Sequence, residues 1–142
     1  MLKDRYGNPA STNSQAAMAK YDEALDLIRV YRGDPVAAID AALTEDPDFG
    51  GAWALRAGLL VTATDKAYAE ETEKSLRAGA AANLNDRERA HLEAASDWAD
   101  GRYLQGTARY GRIAQANPRD VAAVQYAHVG CFFLGLQSEQ CH

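Results

Sequence analysis

Three side chains in this sequence are of types that could do chemistry, and two of them are suitably spaced: His91, His128 and Cys131. His128 and Cys131 stand three residues apart, about one helical turn, so both can face one way. With His91 they would offer three ligands to a metal ion. The spacing matches no zinc pattern and no fourth ligand is evident, so a partly buried thiol and a helix histidine explain these residues as well, and no metal is expected. A nucleophile would need Ser or Cys within reach of a His held by a carboxylate. Cys131 opens the apolar run Cys131-Phe132-Phe133-Leu134, a setting that raises a thiol's pKa and makes it inert. The acid pairs Glu70/Glu71 and Asp46/Asp48 fall on a helix surface and in a turn, where solvated charge or capping is the expected role. Gly50-Gly51 lacks the Lys-Ser/Thr partner of a phosphate loop. No catalytic residue and no cofactor site is expected, and the chain reads as a non-enzyme.

The elements that would position these residues are helices. The sequence has 142 residues, 29 of them alanine and only nine valine or isoleucine, a mixture that favours helix over strand. Residues 1–12 read as a polar arm, 13–135 as one helical domain and 136–142 as a tail. Tyr21, Ala24, Leu25, Ile28 and Tyr31 mark one face of a first helix. Gly33 suits a left-handed cap, Asp34 an N-cap and Pro35 the first turn of a second helix over about 35–45, with Val36, Ile39, Ala42 and Leu43 inward. A third runs over about 50–63 with Trp53 and Leu60, and a fourth over 66–82 with Tyr68, Ala69 and Leu76. Asn85 and Glu88 have the sense of a capping box for a fifth over 86–100, in which Leu92, Ala95 and Trp98 face inward and Glu93 and Asp97 outward. The sixth, over 103–116, carries Tyr103, Leu104, Ala108, Tyr110 and Ile113. Asp120 caps a seventh, with Val121, Val124, Ala127, Cys131 and Leu134 as its apolar residues. The short connections make sequential helices antiparallel neighbours.

Charge and length exclude several roles. A net charge of −5 argues against a duplex nucleic-acid binder, and the arginine pairs Arg87/Arg89 and Arg109/Arg112 sit among acids. No apolar run reaches the roughly 18–20 residues of a membrane span. No apolar stretch follows Met1-Leu2-Lys3-Asp4-Arg5, so no signal peptide is expected. Two cysteines make no disulfide framework, and the expected location is the reducing cytoplasm.

The helices recur as pairs. Pro47 and Pro118 each close one helix and open another, with Trp53 and Val124 each six residues further on, while Gly33 and Gly101 fall inside pairs. The segment Gly101 to Pro118, with Gly106 at the small position and Tyr110 at the aromatic one, resembles the tetratricopeptide repeat, a helix–turn–helix unit of about 34 residues. Trp53, Ala57 and Leu60 match the opening helix of a second unit, with Arg56 standing where that family has leucine. Tyr31-Arg32-Gly33-Asp34-Pro35, Asp46-Pro47-Asp48-Phe49, Glu88-Arg89-Ala90-His91, Asn117-Pro118-Arg119-Asp120 and His128 to Gly135 are similar to the N-terminal part of the tetratricopeptide repeat protein 38 family. The likeness stops at Gly135. It implies an all-α, right-handed stack of six or seven antiparallel helices, and no particular chemistry.

Such stacks bind along the concave face made by the first helix of each pair. His91, Gln125, His128 and Phe132 are the candidate groove residues for a protein or peptide partner. Val124, Val129, Phe132, Phe133 and Leu134 form the candidate self-association surface, because the seventh helix opens a pair that no eighth helix closes. The expected function is protein–protein interaction. The alternatives are homo-oligomerisation, or a piece of a longer protein whose activity lies in further repeats. Trp53 is expected to be buried between the second and third helices.

Overall fold

The computed structural model describes the backbone of residues 2–30 and 33–134, with all their side chains except those of Phe133 and Leu134. Among these residues there are seven α-helices: α1 (Gln15–Val30), α2 (Pro35–Glu45), α3 (Gly50–Thr62), α4 (Ala69–Ala81), α5 (Asp86–Ala99), α6 (Tyr103–Ala116) and α7 (Val121–Leu134). A 3-10 turn, Lys66–Tyr68, leads into α4. The described residues contain no strand, only isolated bridges between Lys3 and Pro9 and between Phe49 and Asn83. No described helix is long and apolar enough to cross a membrane.

The helix ends fall where capping chemistry puts them. The Asp34 carboxylate accepts the Ala37 N–H at 3.1 Å, with Pro35 as the first residue of α2. Asn85 and Glu88 exchange both bonds of a capping box at the start of α5. Asp120 accepts the Ala123 N–H at 3.0 Å to open α7. Gly33 and Gly101 hold φ of +68° and +85°, which ends α1 and α5 without a Cβ penalty.

Consecutive helices pack as neighbours: α1 with α2, α3 with α4, α5 with α6, and α6 with α7. α3 also lies along α5, and α1 touches α7, so the row of helices curls back on itself. The core runs through the middle, with Tyr21, Leu25, Ile39, Phe49, Leu55, Tyr110 and Tyr126 buried in one cluster. Residues 2–14 do not hang free as a polar arm. Asp4, Asn8, Ala10 and Thr12 are buried, and the segment is tied down across the molecule. The Ser11 N–H donates to Glu88 at 3.1 Å, the Asn8 amide donates to the Arg119 carbonyl at 3.2 Å, and Asn85 and Arg87 both donate to the Pro9 carbonyl.

Several faces differ from the sequence reading. Trp53 is half-buried rather than buried, because its indole N–H reaches out to the Pro47 carbonyl at 2.8 Å. Asp97 is buried, not outward, and accepts from Arg102 and Arg109 at 2.8 and 3.0 Å. On α4 the buried positions are Thr72, Ser75 and Gly79, not the apolar ones, and Tyr68 is exposed. Ser75 faces Arg56, which lies buried on α3 and joins Asp40 of α2 at 2.8 Å to Ser75 of α4 at 2.8 Å, while a Cβ on Gly79 would lie 2.9 Å from the Leu92 side chain, so a small residue is needed there. On α6, Gly106, Thr107, Tyr110 and Ile113 point inward while Tyr103 and Leu104 are exposed. On α7 the inward residues are Ala122, Ala123, Tyr126, Gly130 and Cys131, about one position round from the expected stripe. Tyr31 of the expected α1 face, and the tail 136–142, lie outside the described residues.

Candidate functional site

Two sites form where α1, α3, α5 and α7 converge, one closed and polar, the other open and apolar. The closed one centres on Asp120, which is nearly inaccessible. Its Oδ2 meets His91 Nε2 and Arg87 Nη1, each at 2.8 Å. Burial alone would push the Asp120 carboxyl up, but His91 and Arg87, with the Ala123 N–H, outweigh it and hold the carboxyl well below the usual carboxylate range. Around this pair stand Tyr21, Tyr110 and Tyr126, whose hydroxyls burial pushes well above their ordinary value. These phenols stay neutral at pH 7 and cannot serve as bases. Arg87 Nε, His91 Nδ1 and Tyr110 Oη are buried without a hydrogen-bond partner among the described residues. The gap between Tyr21, Gly51, Arg87 and His91 is too small for a water molecule. A substrate has nowhere to sit here, and what the arrangement can do is join α5 to the start of α7.

The open site is a cavity of about 260 Å³ at the C-terminal ends of α1 and α3. Leu27 and Ile28 come from α1, Leu59 from α3, and Gln125, Tyr126 and Val129 from α7. These three are the first helices of their pairs. The Tyr126 hydroxyl donates to the Leu55 carbonyl at 3.1 Å, which fixes α7 against α3 and sets the width of the cavity. Its walls are mostly apolar, with Thr62, Gln125 and Tyr126 as the polar side chains among them. The volume is under the roughly 300–1,000 Å³ typical of small-molecule and cofactor sites, and suits one or two large side chains.

The structure brings few of the sequence-derived candidates together. Gln125 lines the open cavity, and Val129, assigned to the self-association surface, lines it too. His91 is buried against Asp120 and edge-on to Tyr110, with ring centroids 5.7 Å apart, so it faces no groove. His128, Val124 and Phe132 lie exposed on the outside of α7, Phe132 at 87%. The side chains of Phe133 and Leu134 lie outside the described residues. Cys131 is disulfide-bonded rather than a free thiol, which corrects its reading as a thiol and removes the cysteine argument for a reducing compartment. Among the described residues no three His, Cys, Asp or Glu gather as metal ligands. Leu27 was not singled out from sequence, and Leu59 was read only as one of the apolar residues of the third helix. Each sits one position beside its helix's core stripe, where a residue half faces solvent.

No family model matches the chain, and no solved structure matches it, so the reading of these sites rests on their own geometry.

Proposed function

We propose that the chain is a non-catalytic protein-interaction module of tetratricopeptide-repeat type, which takes a large apolar side chain of a partner peptide into the cavity between α1, α3 and α7. The observation that carries this reading is the cavity itself: about 260 Å³, open to solvent, walled by Leu27, Leu59 and Val129 from three opening helices. Interfaces concentrate their energy on a few anchors that fill such pockets. The paired helices and the repeat-like spacing of Pro47 and Pro118 support the family assignment, while contact between α1 and α7 departs from an open stack in which each repeat meets only its neighbours. The test is selection from a displayed random peptide library. Enriched peptides should share one large apolar residue, and Val129→Asp should abolish their binding with the helix content intact. Failure to enrich any peptide, or binding indifferent to Val129→Asp, overturns the reading.

A second reading, self-association, has its own observation in Phe132 and Val124, both exposed on one side of α7. Its test is the mass of the chain in solution.

A further inference from the structure

Of the seven described α-helices, α7 alone contains no Asp, Glu, Lys or Arg. Two copies of a chain with net charge −5 repel each other, but α7 sets no like charges face to face, and the cores of protein interfaces are poor in charge. The solvent side of α7 carries Phe132, which is 87% exposed and therefore held by little of its own fold. Phe132 also stands beside the apolar cavity. Val129, one of the cavity walls, comes three residues before it, and Gln125, another lining residue, comes seven before it on the same stripe. Phe132 itself does not line the cavity of its own chain.

The cavity and the ring match in size and character. A cavity of about 150 Å³ is enough to hold benzene, and this one measures about 260 Å³. Leu27, Pro35, Leu59 and Val129 are half-buried, so each has surface left for an incoming side chain to cover. None of the lining residues is charged. The register agrees as well. When two α7 helices run antiparallel about a two-fold axis that passes between His128 and Val129, Phe132 of each copy lies opposite Gln125 of the other, at the cavity.

We infer that the cavity between α1, α3 and α7 receives Phe132 of a second copy of this chain, and that the exchange is mutual, so a two-fold dimer closes on two such contacts. The inference rests on the reading of the cavity as a pocket for one large apolar side chain, and it names that side chain. A partner peptide then binds in competition with the dimer.

The experiment is analytical ultracentrifugation of the full chain and three variants, each with its helical circular dichroism signal checked. The parent should dimerise at tens of micromolar. Phe132→Ser removes the inserted ring, while Val129→Asp and Leu27→Gln alter the cavity that receives it. Leu27 belongs to α1 and not to the exposed side of α7, so its loss matters only when the cavity is filled. Each variant should weaken the dimer by about tenfold or more. Phe132→Ser mixed with Val129→Asp should associate more tightly than either alone, because the mixed pair regains one intact contact. Leu27→Gln takes the place of Val129→Asp in the mixture if the latter loses helix. A monomeric parent, cavity variants that dimerise like the parent, or a mixture no tighter than its components each overturns the inference. Peptide selection on Phe132→Ser, whose cavity is intact and has no ring from a second copy to fill it, keeps the two readings apart. Enriched peptides beside a monomeric parent sink the dimer and leave the peptide reading standing. A dimer that Phe132→Ser and Leu27→Gln both disrupt, with no peptide enriched, does the reverse.

Discussion

Asp120 makes three bonds at one buried carboxylate, to His91, to Arg87 and to the N–H of Ala123. Removing it leaves Arg87 buried and unpaired, so Asp120→Ala should lower stability by about 3–5 kcal/mol in a denaturant titration. The same group sets an acid limit. Its folded-state pKa lies below the unfolded value of about 3.9, so its contribution is complete above that value and is lost as pH falls toward the folded pKa. Asp97, held low by Arg102 and Arg109 against its own burial, acts in the same direction. Melting temperature should therefore fall below about pH 4, and Asp120→Asn should flatten that slope while lowering the plateau. Of this cluster only the cap was legible in the sequence, since Asn-Pro-Arg-Asp marks a helix start. The ties to Arg87 and His91, 33 and 29 residues away, depend on α5 lying beside the start of α7, which no local spacing encodes. The two tryptophans divide similarly. Trp98 is 2% exposed, so Trp98→Ala should cost about 3–5 kcal/mol, and Trp53→Ala less, because Trp53 is only partly buried.

Whole helices were easier to read than their faces. Ends follow from residues with one local use, such as Asp34 with Pro35, Asn85 with Glu88, or Gly101 after Trp98, and these sit where the sequence puts them. Faces follow from contrast between apolar and polar sides, and alanine-rich helices offer little of it. Thus α4 turned Thr72, Ser75 and Gly79 inward, and α7 buried Tyr126 where Val124 was expected. Close approach explains what hydrophobicity does not. A Cβ on Gly58 of α3 would lie 2.6 Å from the Tyr126 ring and 2.8 Å from the Tyr110 hydroxyl. Gly111 of α6 has open space at the same atom. Gly58→Ala should therefore destabilise by about 1–3 kcal/mol as the tyrosines are forced apart. Gly111→Ala should stabilise by about 0.5–1 kcal/mol through helix propensity alone. Opposite shifts in thermal melts would establish that α3 and α7 are held at glycine distance, and shifts of the same sign would contradict it.

At the scale of the whole molecule, the N-terminal segment and the α1–α7 contact draw the helices into a closed arrangement. Beside that contact the Leu27–Leu59–Val129 cavity stays open at the C-terminal ends of α1 and α3. The closure does nothing for the outer side of α7. There Val124, His128 and Phe132 recur every four residues, so they stand in one row along the helix, and all three are exposed. Burying a phenylalanine side chain contributes about 1.5–3 kcal/mol. In an interface about a two-fold axis each such contact occurs twice, so the row is self-complementary in a way that an isolated apolar residue is not. Sedimentation equilibrium at tens of micromolar should accordingly give a mass above that of the single chain. Phe132→Ser should return the mass to that of the monomer. Because Phe132 is 87% exposed in the single chain, the substitution removes almost no internal packing, and the circular dichroism spectrum should keep its helical signal. A parent chain that sediments as a monomer over that range would refute self-association through α7, and the row would then be free to meet a different protein.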